Sequence, residues 1–208
     1  MHCTISLSLA RLTLAAAGML SFAPAATAQH SGFIRIDGRI RFPIGLYHTP
    51  ADDAGLRRVH DAGFNLVRCR RAADLDRARK AGLAGWVRLP LGDGASTRLR
   101  NTVRGLMQHP ALAVWEGPDE MVWKFTADWI GLRREGVFDS GGDWWHQARK
   151  AVRYSEAQAS AILPKVEEAI RVVREMDAAG RLVWFNEAAR SDAKYLRDFV
   201  GSVDVTGC

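Results

Sequence analysis

Short apolar runs alternate with helical segments along most of this chain, and a glycine follows several of the helical segments. Gly63, Gly82 and Gly180 each stand where a helical pattern stops, the usual place for a helix-ending glycine. The strand-like runs recur about every 20 to 35 residues. Such spacing is typical of right-handed βαβ units. The chain is therefore predicted to fold as an α/β domain built on a parallel sheet.

The predicted elements begin with a small hairpin over residues 33–39, which turns at Asp37-Gly38 and closes the bottom of the domain. Six strands are predicted over residues 42–47, 64–69, 84–91, 111–115, 181–185 and 202–208. Helices are predicted from Asp52-Asp53 to Gly63, over 73–81, from a cap at Ser96 or Thr97 to about 108, over 155–179 and over 192–200.

Residues 109–120, HPALAVWEGPDE, contain the most informative of these strands. The apolar run over 111–115 has the length of a strand that is buried on both faces. It breaks at Gly117-Pro118 and is followed by two adjacent acids, Asp119 and Glu120. Carboxylates at the carboxyl end of a buried parallel strand are typical of the active sites of α/β barrels.

Other side chains that follow predicted strands should lie at the same rim. They are Tyr47 and His48 after the first strand, Arg68 in the second, and Asn186-Glu187 after the fifth. Arg68 could hold an acid or a sugar hydroxyl, or form an ordinary buried salt bridge. Glu187 is also considered as a substitute second carboxylate, since its strand is the neighbour of the one that ends near Glu120.

Residues 121–154 interrupt the regular alternation and form a long aromatic-rich insertion. Loops of this length are uncommon unless they have a function. Trp123, Trp144 and Trp145 offer flat apolar faces on which pyranose rings can stack. The alternative is that these rings pack the insertion onto the sheet.

The number of strands favours an incomplete barrel. A (β/α)8 barrel usually takes about 250 residues, and six strands in 208 residues predict a barrel truncated after the sixth strand. The alternative is a complete six-stranded doubly wound domain. Such a domain is expected to carry a glycine-rich phosphate loop, and the turn at Gly92-Asp93-Gly94 is too short to be one.

The first 28 residues are predicted to be a secretory signal peptide. A mostly apolar stretch over 12–26 follows Arg11 and ends in small residues. A membrane anchor is the alternative, but the stretch is short for a span and contains Pro24. Residues 29–208 would then form the barrel domain, in the periplasm or outside the cell, with no membrane contact after cleavage.

Charge and cysteine content limit the partners. The net charge is +6, and the arginines are dispersed along helices, so no nucleic-acid partner is predicted. Neither the cysteines nor His60, His109 and His146 show the spacing of metal ligands, and no cofactor is expected. Cys69 and Cys208 are predicted to be buried thiols, a disulfide between them being the alternative. The oligomeric state is left open.

The segment from Trp115 to Glu120 resembles the fourth-strand motif of the superfamily of retaining glycoside hydrolases with (β/α)8 barrels. This superfamily, often called clan A, includes β-galactosidase-like, cellulase-like and mannanase-like enzymes. In its motif a His-Pro, an apolar strand and a Trp precede an Asn-Glu pair, with the Glu five residues after the Trp. Residues 42–47, 62–68 and 203–207 are similar to the first, second and sixth strands of the family.

The resemblance implies that Glu120 is the general acid/base of an O-glycosyl hydrolase, with a carbohydrate substrate near Asp119 and Trp115. Asp119 stands where the family has Asn; it can accept the same hydroxyl but would raise the Glu120 pKa. The family's nucleophile, a Glu on the seventh strand, has no counterpart here, so this chain alone is expected to be inactive. The alternatives are a non-catalytic carbohydrate-binding or vestigial barrel and, more remotely, an unrelated barrel enzyme.

Overall fold

The structure, a computed structural model, describes residues 33–138 and 148–207. The predicted signal peptide, the Trp144-Trp145 pair and Cys208 lie outside the described residues. Within the described ranges, no helix is long and apolar enough to span a lipid bilayer.

The predicted hairpin is present and comprises strands β1 (Ile34–Ile36) and β2 (Arg39–Arg41). Asp37 and Gly38 adopt φ values of 47° and 74°, as a two-residue turn with positive φ at both positions requires. Ile34 is buried against Val114 and other apolar side chains of the main sheet. The hairpin thereby covers the amino-terminal end of that sheet.

Six parallel strands form the main sheet, in the order in which they occur along the chain. They are β3 (Gly45–Leu46), β4 (Leu66–Cys69), β5 (Ala84–Arg88), β6 (Leu112–Glu116), β7 (Leu182–Asn186) and β8 (Val205–Gly207). Helices alternate with them, so the sheet curls into half of a (β/α) barrel. The prediction of an α/β barrel that contains six strands is confirmed.

Four of the helices begin and end close to the predicted positions, namely those over 53–61, 72–80, 97–106 and 193–200. The α-helices of the described residues are α1 (Asp53–Asp61), α2 (Ala72–Lys80), α3 (Thr97–Leu106), α4 (Met121–Thr126), α5 (Trp129–Arg134), α6 (Ala148–Met176) and α7 (Ala193–Val200). Ser96 caps α3, because its hydroxyl accepts the Leu99 N–H at 3.2 Å. Gly63 and Gly82 follow α1 and α2 with positive φ, a conformation that glycine adopts at little cost.

The insertion over 121–154 differs from the predicted long loop. It contains α4 and α5, and α6 already begins at Ala148 instead of Ser155. Distant side chains explain the difference, since the N–H groups at the start of α4 bond to Glu187, 65 residues further along the chain. Ser155, the first residue of the predicted helix, is buried within α6 and donates its hydroxyl to the Phe125 carbonyl at 2.7 Å.

The two faces of the sheet have different surroundings. On the outer face, Val67, Val87, Trp115 and Val183 pack against the helices in the larger apolar core. The inner, concave face carries a smaller apolar cluster that includes Leu66, Ala84, Trp86, Val114 and Trp184. Because side chains alternate along a strand, residues two positions apart share a face. The concave face is the side on which polar groups gather at the carboxyl ends of the strands.

Candidate functional site

Four central strands end on the concave face with a polar side chain. Arg68 lies near the end of β4, and Arg88, Glu116 and Asn186 are the last residues of β5, β6 and β7. Because the strands are parallel neighbours in one sheet, these ends meet at one edge of the half-barrel. This edge corresponds to the one at which α/β barrels carry their active sites.

Glu116 is the most deeply buried member of this group, with 0% of its surface exposed. Its Oε2 atom lies 3.7 Å from Nε of Arg68, and neither carboxylate oxygen accepts a hydrogen bond from the described residues. Burial raises the pKa of Glu116; the positive charges of Arg68 and Arg88 oppose this rise, and Asp119 adds to it. The site therefore contains a carboxyl group that takes up a proton more readily than an exposed glutamate.

Asp119 lies just beyond β6 and is held by two neighbouring strands. The Asn186 amide donates to Oδ1 of Asp119 at 2.7 Å, and Nη2 of Arg88 lies 3.6 Å from Oδ2. Lys124 donates to the Asp119 backbone carbonyl at 2.8 Å. These contacts fix the carboxylate at the rim while leaving part of it exposed.

Glu120 lies at the same rim and immediately precedes α4. It has φ 50° and ψ 44°, the left-handed region that non-glycine residues rarely occupy. Its backbone N–H donates to the Asn186 carbonyl at 2.8 Å, which ties the end of β6 to the end of β7. The half-buried side chain thus begins from a backbone position that tertiary contacts hold in an uncommon conformation.

Aromatic rings line the concave face next to these charges. The guanidinium carbon of Arg68 lies 4.6 Å from the centroid of the Tyr47 ring, a cation–π distance. The Tyr47 ring is 6.1 Å from that of Trp86, which is 5.2 Å from that of Trp184. Burial and the negative charge of Glu116 are the main causes that raise the pKa of Tyr47 to about 12. His48 is exposed, with its ring 6.1 Å from that of Tyr47.

Three of the predicted site residues have contacts outside this cluster. Trp115 lies on the outer face, fully buried, and its indole N–H donates to Asp177 at 2.7 Å, so it functions as a core residue instead of a substrate contact. Glu187 is also buried and accepts N–H groups of Val122 at 3.0 Å and Trp123 at 3.4 Å. Trp123 itself is half-buried in α4.

The structure adds Trp86, Arg88, Glu116 and Trp184 to the residues that the sequence singled out. Arg88 could have been found from the alternation of side chains along β5. Ala84, Trp86 and Arg88 are two residues apart and therefore share the concave face. Glu116 was missed because the predicted strand ended at Trp115, one residue short. Extending the strand by that residue would have turned the glutamate toward the same side as Val114.

Metal ligation has no support in the described part of the chain, where no group of three or more His, Cys, Asp or Glu side chains is placed to hold an ion. Cys69 is a buried free thiol on the outer side of the sheet, and burial raises its pKa to about 12. Such a thiol is a poor nucleophile, because the reactive form is the thiolate.

Comparison with known proteins shows the fold. No protein-family model and no curated protein sequence matches this chain. It is similar to the solved structure of a polyextremophilic β-galactosidase from the Antarctic haloarchaeon Halorubrum lacusprofundi, with a TM-score of 0.50 and 13% identity, over 79% of this chain and 39% of that one. A second match, to a D-psicose 3-epimerase from Clostridium cellulolyticum H10 crystallised with D-tagatose, has a TM-score of 0.32 and 11% identity, over 76% and 70% of the two chains.

The first of these likenesses agrees with the topology of the sheet. This chain spans well under half of the length of the β-galactosidase that it matches. At so low an identity, the similarity extends to the architecture of the backbone. The chain has a TIM-barrel-like fold of the kind that glycoside hydrolases use.

Proposed function

We propose that the concave face binds a carbohydrate and that the protein is a glycoside hydrolase in which Glu120 is the general acid/base. The observation that carries this proposal is the left-handed backbone of Glu120 at the carboxyl edge of the barrel, one residue after the tethered Asp119. Strained non-glycine residues of this kind cluster at active sites, where surrounding structure maintains them. The resemblance around residues 115–120 points to the same glutamate.

The chemistry assigned to Glu120 is proton transfer. A carboxylic acid at this position would protonate the leaving glycosidic oxygen, and its carboxylate would later take a proton from the attacking water. Asp119, fixed by Asn186 and Arg88, is suited to accept a hydrogen bond from a sugar hydroxyl. The rings of Tyr47 and Trp184 supply apolar faces for a pyranose.

A retaining mechanism also needs a second carboxylate about 5 Å from the first. Glu187 is unsuited to this task, because its two oxygens accept the N–H groups of α4 and the Ser191 hydroxyl. We therefore propose that Glu187 anchors α4 and is not the nucleophile, in agreement with the resemblance, since that family has its nucleophile on a seventh strand.

A non-catalytic carbohydrate-binding protein is the second candidate. The contacts of Asp119 favour this candidate. Asn186 and Arg88 hold the Asp119 carboxylate in one position, so it can bind a sugar hydroxyl even if no second carboxylate is present for catalysis. In this alternative the concave face would hold a saccharide, and the acid at residue 120 would contribute only a hydrogen bond.

Turnover of a panel of nitrophenyl glycosides, beginning with the β-galactoside, separates the two candidates when azide is supplied as a nucleophile in place of the second carboxylate. For the hydrolase we expect Glu120→Gln to lower the rate by about 10²- to 10⁴-fold, the usual contribution of a general acid. Glu135→Gln, on an exposed residue after α5, is the matched control and should retain the wild-type rate.

Calorimetric titration with the corresponding free sugars completes the test. Saccharide binding that survives Glu120→Gln, with no nitrophenol released by the wild type, would support the binding protein. A wild type that neither binds nor hydrolyses any member of the panel would contradict both candidates.

Export is a separate part of the proposal and depends on residues 1–28 alone. Cleavage after Ala28 would leave a mature protein that begins at Gln29. Amino-terminal sequencing of the protein recovered from periplasm or medium should find that residue. Recovery of uncleaved chain in the membrane fraction would support the anchor instead.

A further inference from the structure

The concave face gathers buried polar atoms that lack a hydrogen-bond partner. In the described ranges, six such side-chain atoms occur, and all belong to this face: Tyr47 Oη, Arg68 Nε, Trp86 Nε1, both carboxylate oxygens of Glu116, and Trp184 Nε1. Glu116 supplies the only carboxylate of this set, and the other atoms are hydroxyl, guanidinium or indole groups that can donate. Buried polar groups without partners are rare in proteins and call for an explanation.

From this arrangement we propose that Glu116 is a positioning residue of the saccharide site. Its carboxylate holds the Arg68 guanidinium against the Tyr47 ring, so that Arg68 and Tyr47 keep one orientation toward the ligand. The proposal rests on the function proposed above, since it assigns to Glu116 a role in presenting residues of that site.

The distances support a relay from Glu116 through Arg68 to Tyr47. Arg68 lies 3.7 Å from Glu116 and 4.6 Å from the centre of the Tyr47 ring, so it contacts both. Thr49 donates its hydroxyl to the Arg68 backbone carbonyl, which links the segment after Tyr47 to β4. Arg68 is thus restrained at its backbone by Thr49 and at its side chain by Glu116.

Stability alone does not account for an ionised carboxylate at this position. Fully buried carboxylates elsewhere in the described chain accept several hydrogen bonds, as Glu187 does from two N–H groups and a hydroxyl. In the described chain no donor lies at hydrogen-bonding distance from either oxygen of Glu116. The Trp86 indole and the arginines oppose the rise of the Glu116 pKa, but burial outweighs them. A neutral side chain of the same shape would suit the fold better, which favours a role for the charge itself.

The groups that face Glu116 come from all the neighbouring elements. They are Tyr47 after β3, Arg68 on β4, Trp86 and Arg88 on β5, and Asp119 after β6. Among these groups, Tyr47 both responds to the charge of Glu116 and has an optical signal, because its phenolate absorbs in the near ultraviolet. Its ionisation therefore reports the charge at residue 116 without any ligand.

The first arm of the test is the ionisation of Tyr47 in the full chain, followed by absorbance within milliseconds of an alkaline pH jump, before the protein unfolds. Subtracting the Tyr47→Phe titration assigns the signal. Because burial is the largest cause of the raised pKa of Tyr47 and the charge of Glu116 the second, we expect Glu116→Gln to lower the midpoint from about 12 but to leave it above the ordinary value of 10.0. The control Glu175→Gln, on the exposed surface of α6, should leave it at the wild-type value.

The second arm is a double-mutant cycle on binding of the free sugar that binds best in the panel. We expect Glu116→Gln and Arg68→Gln each to weaken binding by about tenfold, and the double variant to be no weaker than Arg68→Gln alone. The Glu116→Gln variant should keep or raise its urea midpoint at pH 7, which separates a positioning effect from unfolding.

The two arms distinguish the two proposals. An unmoved Tyr47 midpoint, or additive effects in the cycle, would overturn the role of Glu116 even if sugar binds. If no sugar binds to the wild type, the proposed function fails, whereas the Tyr47 titration still decides whether Glu116 controls the Arg68–Tyr47 pair.

Discussion

Asp177, on the helix side of the sheet, and Glu116, on the concave side, are both buried acids, yet their surroundings differ. Asp177 is 4% exposed and accepts from the Trp115 indole at 2.7 Å, from Arg181 at 2.7 Å and from the Ala179 N–H at 3.2 Å. Glu116 is buried as completely but accepts no hydrogen bond from the described chain.

The number of hydrogen bonds thus distinguishes Asp177, whose carboxylate stabilises the fold, from Glu116, whose charge lowers stability. A buried charge is expensive unless hydrogen bonds and a counter-ion compensate for its lost hydration. Asp177 has such compensation in full, whereas Glu116 has, in the described chain, the Arg68 cation at 3.7 Å and the charge of Arg88 but no hydrogen bond. Burial by itself is therefore a poor guide to role, and the count of satisfied oxygens is a better one.

Loss of the Asp177 carboxylate should have the largest effect on stability. We expect Asp177→Ala to lower the free energy of unfolding by about 3–5 kcal/mol, because it leaves the Arg181 charge and the Trp115 indole buried without their partner. Urea unfolding followed by tryptophan fluorescence measures this. Asp177→Asn keeps the shape and one acceptor oxygen, and should lose less. A loss below 1 kcal/mol for Asp177→Ala would contradict the comparison, because the hydrogen bonds of Asp177 would then stabilise the fold little more than the surroundings of Glu116 do.

Loss of the Glu187 carboxylate should have a smaller and more local effect. We expect Glu187→Ala to lower the free energy of unfolding by about 2 kcal/mol, since the N–H groups of Val122 and Trp123 lose their acceptor. Hydrogen exchange at these two amides should accelerate more than exchange in β5 or β6. Uniform acceleration over the whole sheet would instead indicate a global loss of structure.

Glu116→Gln should raise the free energy of unfolding at neutral pH, whereas the two preceding substitutions lower it. A folded-state pKa above the ordinary value of 4.5 means that Glu116 adds stability below that value, and that this contribution is lost as pH rises through the folded-state pKa. The difference in unfolding free energy between the variant and the wild type should therefore grow in favour of the variant between pH 4 and pH 7. Urea midpoints at intervals across that range test the sign. If the urea midpoint of the wild type instead rises relative to that of the variant over this range, the attraction of Arg68 outweighs the cost of burying the Glu116 charge.

Asp119→Asn should change stability least among these variants. Its ion pair with Arg88 is partly exposed to solvent, where such pairs contribute about 0–1 kcal/mol, and asparagine can still accept from Asn186. Sugar binding should respond to this variant more than the urea midpoint does. Equal losses of binding and stability would place Asp119 among the structural acids instead.

Much of the framework was accessible from local patterns. Alternating strands and helices, the glycines after α1 and α2, and the Asp37-Gly38 turn predicted the topology, because each depends on neighbouring residues. The rim position of Asp119 followed from the strand before it. Glu116 was missed because the predicted strand ended one residue short. Trp115 was assigned to the substrate site on the family resemblance, whereas its position in β6 turns it to the outer face, since neighbouring residues of a strand occupy opposite faces.

The sequence by itself determined the order of strands and helices and the edge of the sheet at which acids gather, since periodicity and turn chemistry act over a few residues. Only the tertiary structure decided which acids are satisfied. Decisive partners come from distant segments, since Trp115 lies 62 residues from Asp177 and Val122 lies 65 residues from Glu187. Such pairings depend on how the sheet curls and how the helices pack on it, and no local pattern specifies them.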